Sequence, residues 1–356
     1  MKKLLKIVLG IVLGIVALIA VAVGYLTAVE YRPEDIETLD VKGESSKKLN
    51  LKDKVSVLTF NVGYGCNDEK SDFFMDGGSK VLGESKEAVE KNMEGIKQII
   101  EEQDTDVVFL QEIDKDSKRA YGVQEMDFVK KAFEGKGSCA YSRNYDCKYV
   151  PYPFPTTGRV NSGAVTLNSF EVKEAKRYNL PTNYKWPIRV CQLKRGLLVE
   201  RVPLEDSERE VIFVNLHLEA YDTAEGKAAQ TKVLVDLLQS EYEKGNYVIA
   251  GGDFNQSFPD AGTIEQYPII DDTYYVPEEM DASILPDTWQ WAVDTSKPSA
   301  RLLNMPYNPE DEKTQYYVID GFILSPNIKL EGIETLDKQF QYTDHNPVKL
   351  TISFQE

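Results

Sequence analysis

A recurrent hydrophobic pattern organises the chain: a short run of β-branched and apolar residues that stops on one polar residue. Val55-Ser-Val-Leu-Thr-Phe60 stops at Asn61, and Val107-Val-Phe-Leu-Gln111 stops at Glu112. Val211-Ile-Phe-Val-Asn-Leu216 stops at His217, and Tyr247-Val-Ile-Ala-Gly-Gly252 at Asp253. Short apolar runs of this kind predict buried strands. Four strands that each deliver a polar side chain at the carboxyl end predict one shared cleft above a sheet edge. Further strands are predicted at Gly163–Leu167, Leu197–Pro203, Tyr316–Leu324 and Pro347–Phe354. Helical spacing appears twice. Val89, Met93, Ile96 and Ile100 line one face of a helix from Ser85 to Glu102, with Ser85 as cap. Val233, Leu234, Leu237 and Leu238 line another from Thr223 to Lys244, with an Asp222–Glu225 capping box and Gly245 as its stop. Strands outnumber helices and many are joined by short turns, which predicts a two-sheet sandwich with helices outside it. Residues 66–84 and 256–315 show no periodicity, and loops this long usually carry function or lack order.

The N-terminus has a different pattern. Lys2, Lys3 and Lys6 precede an uncharged run from Ile7 to Ala28, long enough to cross a bilayer as a helix. Glu30, Glu34, Asp35 and Glu37 follow it, opposed only by Arg32. Basic flanks stay cytoplasmic, so a single-pass cell-membrane protein with an extracellular domain is expected. The rival is a signal peptide cut at Ala20-Val21-Ala22, which would release a secreted protein. The expected organisation is a cytoplasmic basic end (1–6), a transmembrane anchor (7–28), a linker or stalk (29–50) and one catalytic domain (51–356). The Gly10–Gly14 spacing matches a membrane-helix dimer motif, but glycine is common in such helices.

Composition narrows the partners. With 42% hydrophobic and 28% charged residues the 356-residue chain can bury a sizeable core. A net charge of −17 disfavours tight non-specific nucleic-acid binding, although a divalent cation would offset local repulsion. Four cysteines do not make a disulfide scaffold or a zinc pattern; Cys139 and Cys147 either pair in an oxidising compartment or stay as buried thiols. No obligate protein partner is evident.

Chemistry concentrates in few residues. The chain has only two histidines, His217 in Asn215-Leu-His-Leu-Glu219 and His345 in Thr343-Asp-His-Asn-Pro347. The ordered set Thr59-Phe-Asn61, Gln111-Glu112, Asn215-Leu-His217, Gly252-Asp-Phe-Asn255, Ile319-Asp320-Gly and Thr343-Asp344-His345 resembles the endonuclease/exonuclease/phosphatase superfamily. The match spans about residues 54–354. That group includes secreted deoxyribonucleases, abasic-site endonucleases, bacterial sphingomyelinases and inositol-polyphosphate phosphatases. The resemblance implies an α+β fold, a four-layer α/β/β/α sandwich of two mostly antiparallel sheets, here preceded by one transmembrane helix.

It also implies roles. Glu112 would hold a divalent cation, with Asp344 as a second ligand and Asn61 orienting the metal site or touching phosphate. Hard oxygen donors without Cys/His clusters favour Mg²⁺ or Mn²⁺. The base that activates water is Asp253 itself or His345 held in its tautomer by Asp320. His217 would donate to the phosphate or to the leaving oxygen, and Asn255 would hold the scissile phosphate. Each residue also has a plain structural reading: Glu112 and Asp253 as solvated strand ends, Asn61 and Asn255 as turn formers. The family often has Ser-Asp-His where this chain has Thr343-Asp344-His345. Its mid-chain Ser-Arg is replaced by Asn168-Ser169, which removes one phosphate-facing arginine; Arg159 and Arg301 are candidate substitutes.

The substrate is left open. Tyr141, Tyr145, Tyr149, Tyr152 and Phe154 crowd one predicted loop, and Tyr149 is a candidate substrate contact. The expected activity is metal-dependent hydrolysis of a phosphoester, by in-line attack of an activated water on a lipid headgroup, a small phosphodiester or nucleic acid. An exported endonuclease or exonuclease is the second reading, and a catalytically idle surface-binding module the third.

Overall fold

In the predicted strands, alternate side chains find two different apolar environments. Val55, Val57, Val107 and Phe109 face Val211, Phe213, Tyr247 and Ile249 in one central cluster. Their neighbours Leu58, Phe60, Val108 and Leu110 pack beneath one pair of helices, and Ile212, Val214, Val248 and Ala250 beneath another helix. Strands buried on both faces must be apolar almost throughout, which is why these runs lack strict alternation. The computed structural model describes residues 1–259, 261–262 and 266–355.

The helices are α1 (Lys2–Ala28), α2 (Lys86–Gln103), α3 (Glu125–Ala132) and α4 (Ala224–Glu243). The strands run β1 (Ile36–Thr38), β2 (Val41–Lys42), β3 (Lys54–Asn61), β4 (Val107–Asp114), β5 (Ser138–Val150), β6 (Gly158–Asn168), β7 (Glu174–Asn179) and β8 (Gly196–Pro203). They continue with β9 (Glu210–His217), β10 (Tyr247–Asp253), β11 (Gln290–Ala292), β12 (Ala300–Arg301), β13 (Tyr316–Tyr317), β14 (Asp320–Leu324), β15 (Ile328–Thr335) and β16 (Val348–Phe354). One seven-stranded sheet has the order β1-β7-β8-β9-β10-β14-β11, the other β15-β16-β3-β4-β6-β5-β2. Helices α2 and α3 cover the second sheet and α4 the first, giving the expected four layers.

Each sheet is antiparallel except for one parallel pair at its centre, β3 with β4 and β9 with β10. Helices α2 and α4 are the crossovers that parallel pairing requires. Both predicted helices form. Ser85 caps α2 by accepting the Ala88 N–H at 3.1 Å. At α4 the cap is Thr223, which accepts from Gly226 N, one residue later than the predicted Asp222; Asp222 instead accepts the Thr223 and Asn183 N–H groups.

The expected stalk at 29–50 is largely part of the folded body. β1 pairs with β7 and β2 with β5, so the segment crosses from one sheet edge to the other. Leu39 and Val41 pack on Ala140, Ala175 and Leu198, and Leu49 reaches the central core, which offsets the polarity read as a linker. The aromatic loop is also corrected. Tyr141, Tyr145 and Tyr149 belong to the 13-residue β5, leaving only Tyr152 and Phe154 in the turn that follows. The cysteines are free, and Cys147 faces Cys191 with the sulfurs 3.7 Å apart, not Cys139. Residues 260, 263–265 and 356, within the predicted 256–315 loop and the domain end, lie outside the described residues.

α1 is long and apolar enough to cross a membrane. Its last turn is tied to the body: Trp186 Nε1 donates to Thr27 Oγ1 at 3.1 Å, and Glu30 meets Arg189 and Lys194 at 3.2 and 3.3 Å. Leu26 packs among Tyr145, Cys147, Val160 and Val190.

Candidate active site

The two parallel strand pairs end side by side, and their carboxyl ends set the site. Register places His217 opposite Asp253, and Asp253 opposite Asp320 at the start of the antiparallel β14. Asn61 lies opposite Gln111 on the other sheet. Across the sandwich Gln111 Nε2 donates to Asn215 Oδ1 at 2.8 Å, a buried bond that fixes one sheet's active end against the other.

Glu112 follows Gln111 at a bulge, where the β4–β6 register shifts between Leu110 and Ile113. Its φ of 61° is strained for a non-glycine residue and turns the side chain out of the strand alternation. Asn255 has a φ of 48° just past β10. Its N–H donates to Asp253 Oδ1 at 2.9 Å and its Nδ2 to Leu218 O at 3.0 Å.

Three predicted side chains meet around the Asp253 carboxylate. Asn61 Nδ2 donates to Asp253 Oδ2 at 3.0 Å, while His217 Nε2 and His345 Nε2 lie 3.3 and 3.8 Å from the same oxygen. His345 Nδ1 is 2.8 Å from Asp320 Oδ2, which also accepts from Ser299 Oγ at 2.8 Å. A carboxylate can only accept, so Nδ1 carries the proton and Nε2 points toward Asp253. Asp253, Asp320 and His345 are also close enough to one another to share an ion, but Nδ1 is spent on Asp320.

Burial and charge divide the two imidazoles. His217 is held well below its ordinary pKa, first by burial and then by Arg195 and His345, so it is neutral. Burial opposes charge on His345 too, but Asp320, Asp344 and Asp253 outweigh it and raise its pKa well above normal. Asp253 is pushed up to about 6, by burial and then by Asp320.

Glu112, with a side chain 15% exposed, accepts no hydrogen bond among the described residues; His217 Nε2 is 3.8 Å from it. Burial and then Asp344 push its pKa up to about 7. Among the described residues the Asp344 carboxylate accepts only the Thr343 hydroxyl, at 3.2 Å. Two carboxylates that repel each other, and that no cationic side chain hydrogen-bonds among the described residues, are the donor set a hard divalent cation would take. The backbone beside them leaves room: a Cβ on Gly63, at φ +54°, would come within 2.8 Å of Asp344 Oδ1. Asn61 uses both amide atoms internally, since its Oδ1 accepts the Gly63 N–H at 3.0 Å.

The cleft measures about 670 Å³ and is lined by Asn61, Glu112, His217, Asp253, Asn255, Arg301, Asp344 and His345, but by neither Arg159 nor Tyr149. Arg159 pairs with Asp116 on the surface, its side chain 52% exposed. Arg301 is buried at the wall, but its guanidinium binds the carbonyls of Leu302, Met305, Asp68 and Ser71, tying the two long loops together; its Nε has no partner. Arg195 also lines the cleft, buried, with its Nε 3.7 Å from Glu219 Oε2 and without a hydrogen bond among the described residues. Sequence motifs missed it because it precedes a strand. β8 is antiparallel to β9, so the amino end of β8 sits beside the carboxyl end that bears His217. The long loop 66–84 adds Tyr64's neighbour Asn67, Phe73, Phe74 and Asp76 to the wall. Asp76 is pushed up to about 6 by burial, against a 2.8 Å bond from the Tyr221 hydroxyl.

Comparisons with known proteins agree with this fold. A model of the Endonuclease/Exonuclease/phosphatase family matches residues 58–345. Among solved structures, an endonuclease/exonuclease/phosphatase from Beutenbergia cavernae DSM 12333 superposes with a TM-score of 0.58 at 15% identity, over 85% of this chain and 72% of that one. A family protein from Bacteroides thetaiotaomicron gives 0.52 at 16% identity, over 86% and 99%. ANGEL2, a 2',3'-cyclic phosphatase solved with adenosine-2',3'-vanadate, gives 0.55 at 13% identity, over 90% and 100%. At these identities the likeness is one of fold. No curated protein matches the chain.

Proposed function

The chain belongs to the endonuclease/exonuclease/phosphatase family, and from that premise we propose that it is a membrane-anchored, divalent-metal-dependent phosphoester hydrolase whose domain acts outside the cytoplasm. The observation that carries the reading is the convergence of both histidines on Asp253 Oδ2, at 3.3 and 3.8 Å. A structural core has no need of two imidazoles on one buried carboxylate.

Glu112 and Asp344 would hold the cation, Mg²⁺ or Mn²⁺, with Asn61 positioning Asp253 between them and the histidines. When bound, the cation neutralises charge on the phosphoryl oxygens. Asp253 takes the proton of the attacking water. Its raised pKa lies close to working pH, where a base is most effective, and Oδ1 accepts a single bond, from Asn255 N. His345, oriented by Asp320, donates from Nε2 to a phosphoryl oxygen. The neutral His217 offers its own Nε2–H to the phosphate or the leaving oxygen. The second amide hydrogen of Asn255 and the guanidinium of Arg195, whose Nε makes no hydrogen bond among the described residues, complete the phosphate cradle. Basic residues in the first turns of α1 and acidic ones after it support a cytoplasmic N-terminus and an exported domain.

The test is hydrolysis by the full chain in detergent of p-nitrophenyl phosphate, bis(p-nitrophenyl) phosphate and plasmid DNA, with and without Mg²⁺ or Mn²⁺. Metal-dependent turnover lost in His217→Ala and His345→Ala is expected. Turnover that survives both substitutions, or none on any ester, overturns the assignment.

A further inference from the structure

The cleft does not end at the polar cluster. Beyond Glu112 and Asp344 it continues into a vestibule walled by Val23, Leu26, Val150, Ile188, Val190 and Leu193. Two of these, Val23 and Leu26, come from α1 itself, the helix long and apolar enough to cross a membrane. The same cavity therefore touches the end of a candidate membrane span and the residues that would cut a phosphoester.

We infer that the vestibule takes a hydrocarbon chain, so that the substrate is a membrane lipid carrying a phosphoester, reached with its headgroup in the polar cleft and its chain toward the bilayer. The inference rests on the phosphoesterase reading above and specifies its substrate class.

Three observations support this occupant over the others. First, these six residues are aliphatic, and Tyr145, which also lines the cavity, is buried among Leu26, Cys147, Val160 and Val190 with its hydroxyl on Cys191 O, so this stretch of wall suits a hydrocarbon chain. Second, apolar side chains that water does not favour stand on the lining or next to it in the chain: Ile188 lines the cavity and is 63% exposed, and Trp186, beside the lining residue Pro187, is 58% exposed. Trp186 bonds Thr27 in the last turn of α1, where an indole suits the interface between lipid and water. Third, α1 does not swing free of the body. Glu30 is clamped by Arg189 and Lys194 and Leu26 is buried, so the vestibule is held at the end of the helix. A soluble phosphoester would have no use for such a wall; a lipid needs one to leave the bilayer.

The test uses the full chain in lipid nanodiscs. Monoalkyl phosphates from ethyl to octyl are titrated as competitive inhibitors of whichever p-nitrophenyl ester turns over. Each methylene that enters the vestibule should tighten inhibition roughly fourfold. In Ile188→Glu, an exposed position that folding tolerates, that dependence on chain length should flatten. Both proteins sit in the same bilayer, so partition of the inhibitor cancels between them. Inhibition independent of chain length in the unmodified protein overturns the inference and points to a water-soluble phosphoester, while leaving the hydrolase intact. An identical slope in Ile188→Glu overturns the vestibule as the chain's location. Absence of turnover on every ester removes the hydrolase reading and this inference with it.

Discussion

His345 Nδ1 lies 2.8 Å from Asp320 Oδ2, and the same oxygen accepts the Ser299 hydroxyl, whose own oxygen receives the N–H groups of Ile319 and Asp320 at 3.0 Å. The imidazole is thus fixed in tautomer and in direction by a buried carboxylate that the backbone itself holds. Asp320→Asn keeps the shape but presents an amide where Nδ1–H needs an acceptor. The expected outcome is a fall in kcat of about 10²–10⁴-fold with little change in KM. Steady-state kinetics on a soluble ester checks it; a fall confined to KM would mean that Asp320 only shapes the pocket.

Glu112 and Asp344 raise the energy of the metal-free protein by their mutual repulsion. Glu112→Gln should therefore weaken Mn²⁺ binding by about tenfold or more, measured calorimetrically. It should also raise the thermal midpoint of the metal-free protein at neutral pH, because burial and Asp344 both act against the Glu112 charge. Asp344→Asn should move both quantities the same way. Unchanged affinity in both variants would exclude this pair as ligands.

Arg195 is buried beside His217 with its Nε 3.7 Å from Glu219 Oε2 and without a hydrogen bond among the described residues, and a charge-assisted bond to a phosphoryl oxygen is the natural use for it. Arg195→Ala should lower kcat/KM about 10- to 100-fold, as expected for one hydrogen bond to a charged group. Arg195→Lys should recover part of the loss, since the charge returns without the fork. Equal kcat/KM in all three proteins would exclude the contact.

How much of this was legible beforehand follows from topology. Asn61, His217 and Asp253 end parallel strands and Glu112 follows the last parallel pair of β4, and an apolar run that stops on a polar residue marks such a place directly. Their convergence at one cleft was therefore readable. Arg195 and Asp320 stand at the amino ends of antiparallel neighbours: no apolar run leads into Arg195, and the run Tyr316–Leu324 passes through Asp320 instead of stopping there, so only the motif around Ile319-Asp320 pointed to it. Arg159 was a reasonable replacement for the absent arginine in sequence, but β6 carries it to the surface, to Asp116. β5 was hidden because its tyrosines and charges alternate as a half-exposed strand does, while the prolines that follow suggested a loop. The segment 29–50 was read as a linker because it is polar, although Leu39, Val41 and Leu49 were enough to stitch it into both sheets.

Glu200 illustrates a charge that the fold tolerates at a measurable cost. It lies fully buried in β8, with Oε2 accepting from Asn168 Nδ2 at 2.9 Å and Oε1 without a partner. Burial pushes its pKa up to about 8, against the pull of the Asn168 bond. An unfolded glutamate titrates near 4.3, so between about pH 4.3 and 8 the folded chain holds a proton that the unfolded chain has released. Stability therefore falls as pH rises through that window, the reverse of a salt-bridged carboxylate. At about 1.4 kcal/mol per pKa unit the loss between pH 5 and pH 8 is on the order of 4 kcal/mol. Cys139, which Glu200 also affects, is raised to about 11 and stays protonated throughout. Glu200→Gln keeps the size and the acceptor oxygen while removing the proton, so it should match the unmodified protein at pH 5 and unfold at a clearly higher temperature at pH 8. The carboxylates of the cleft titrate in both proteins and cancel in the comparison. Thermal midpoints of the full chain at the two pH values decide it: parallel pH dependences would mean that Glu200 ionises as freely in the folded chain as in the unfolded one.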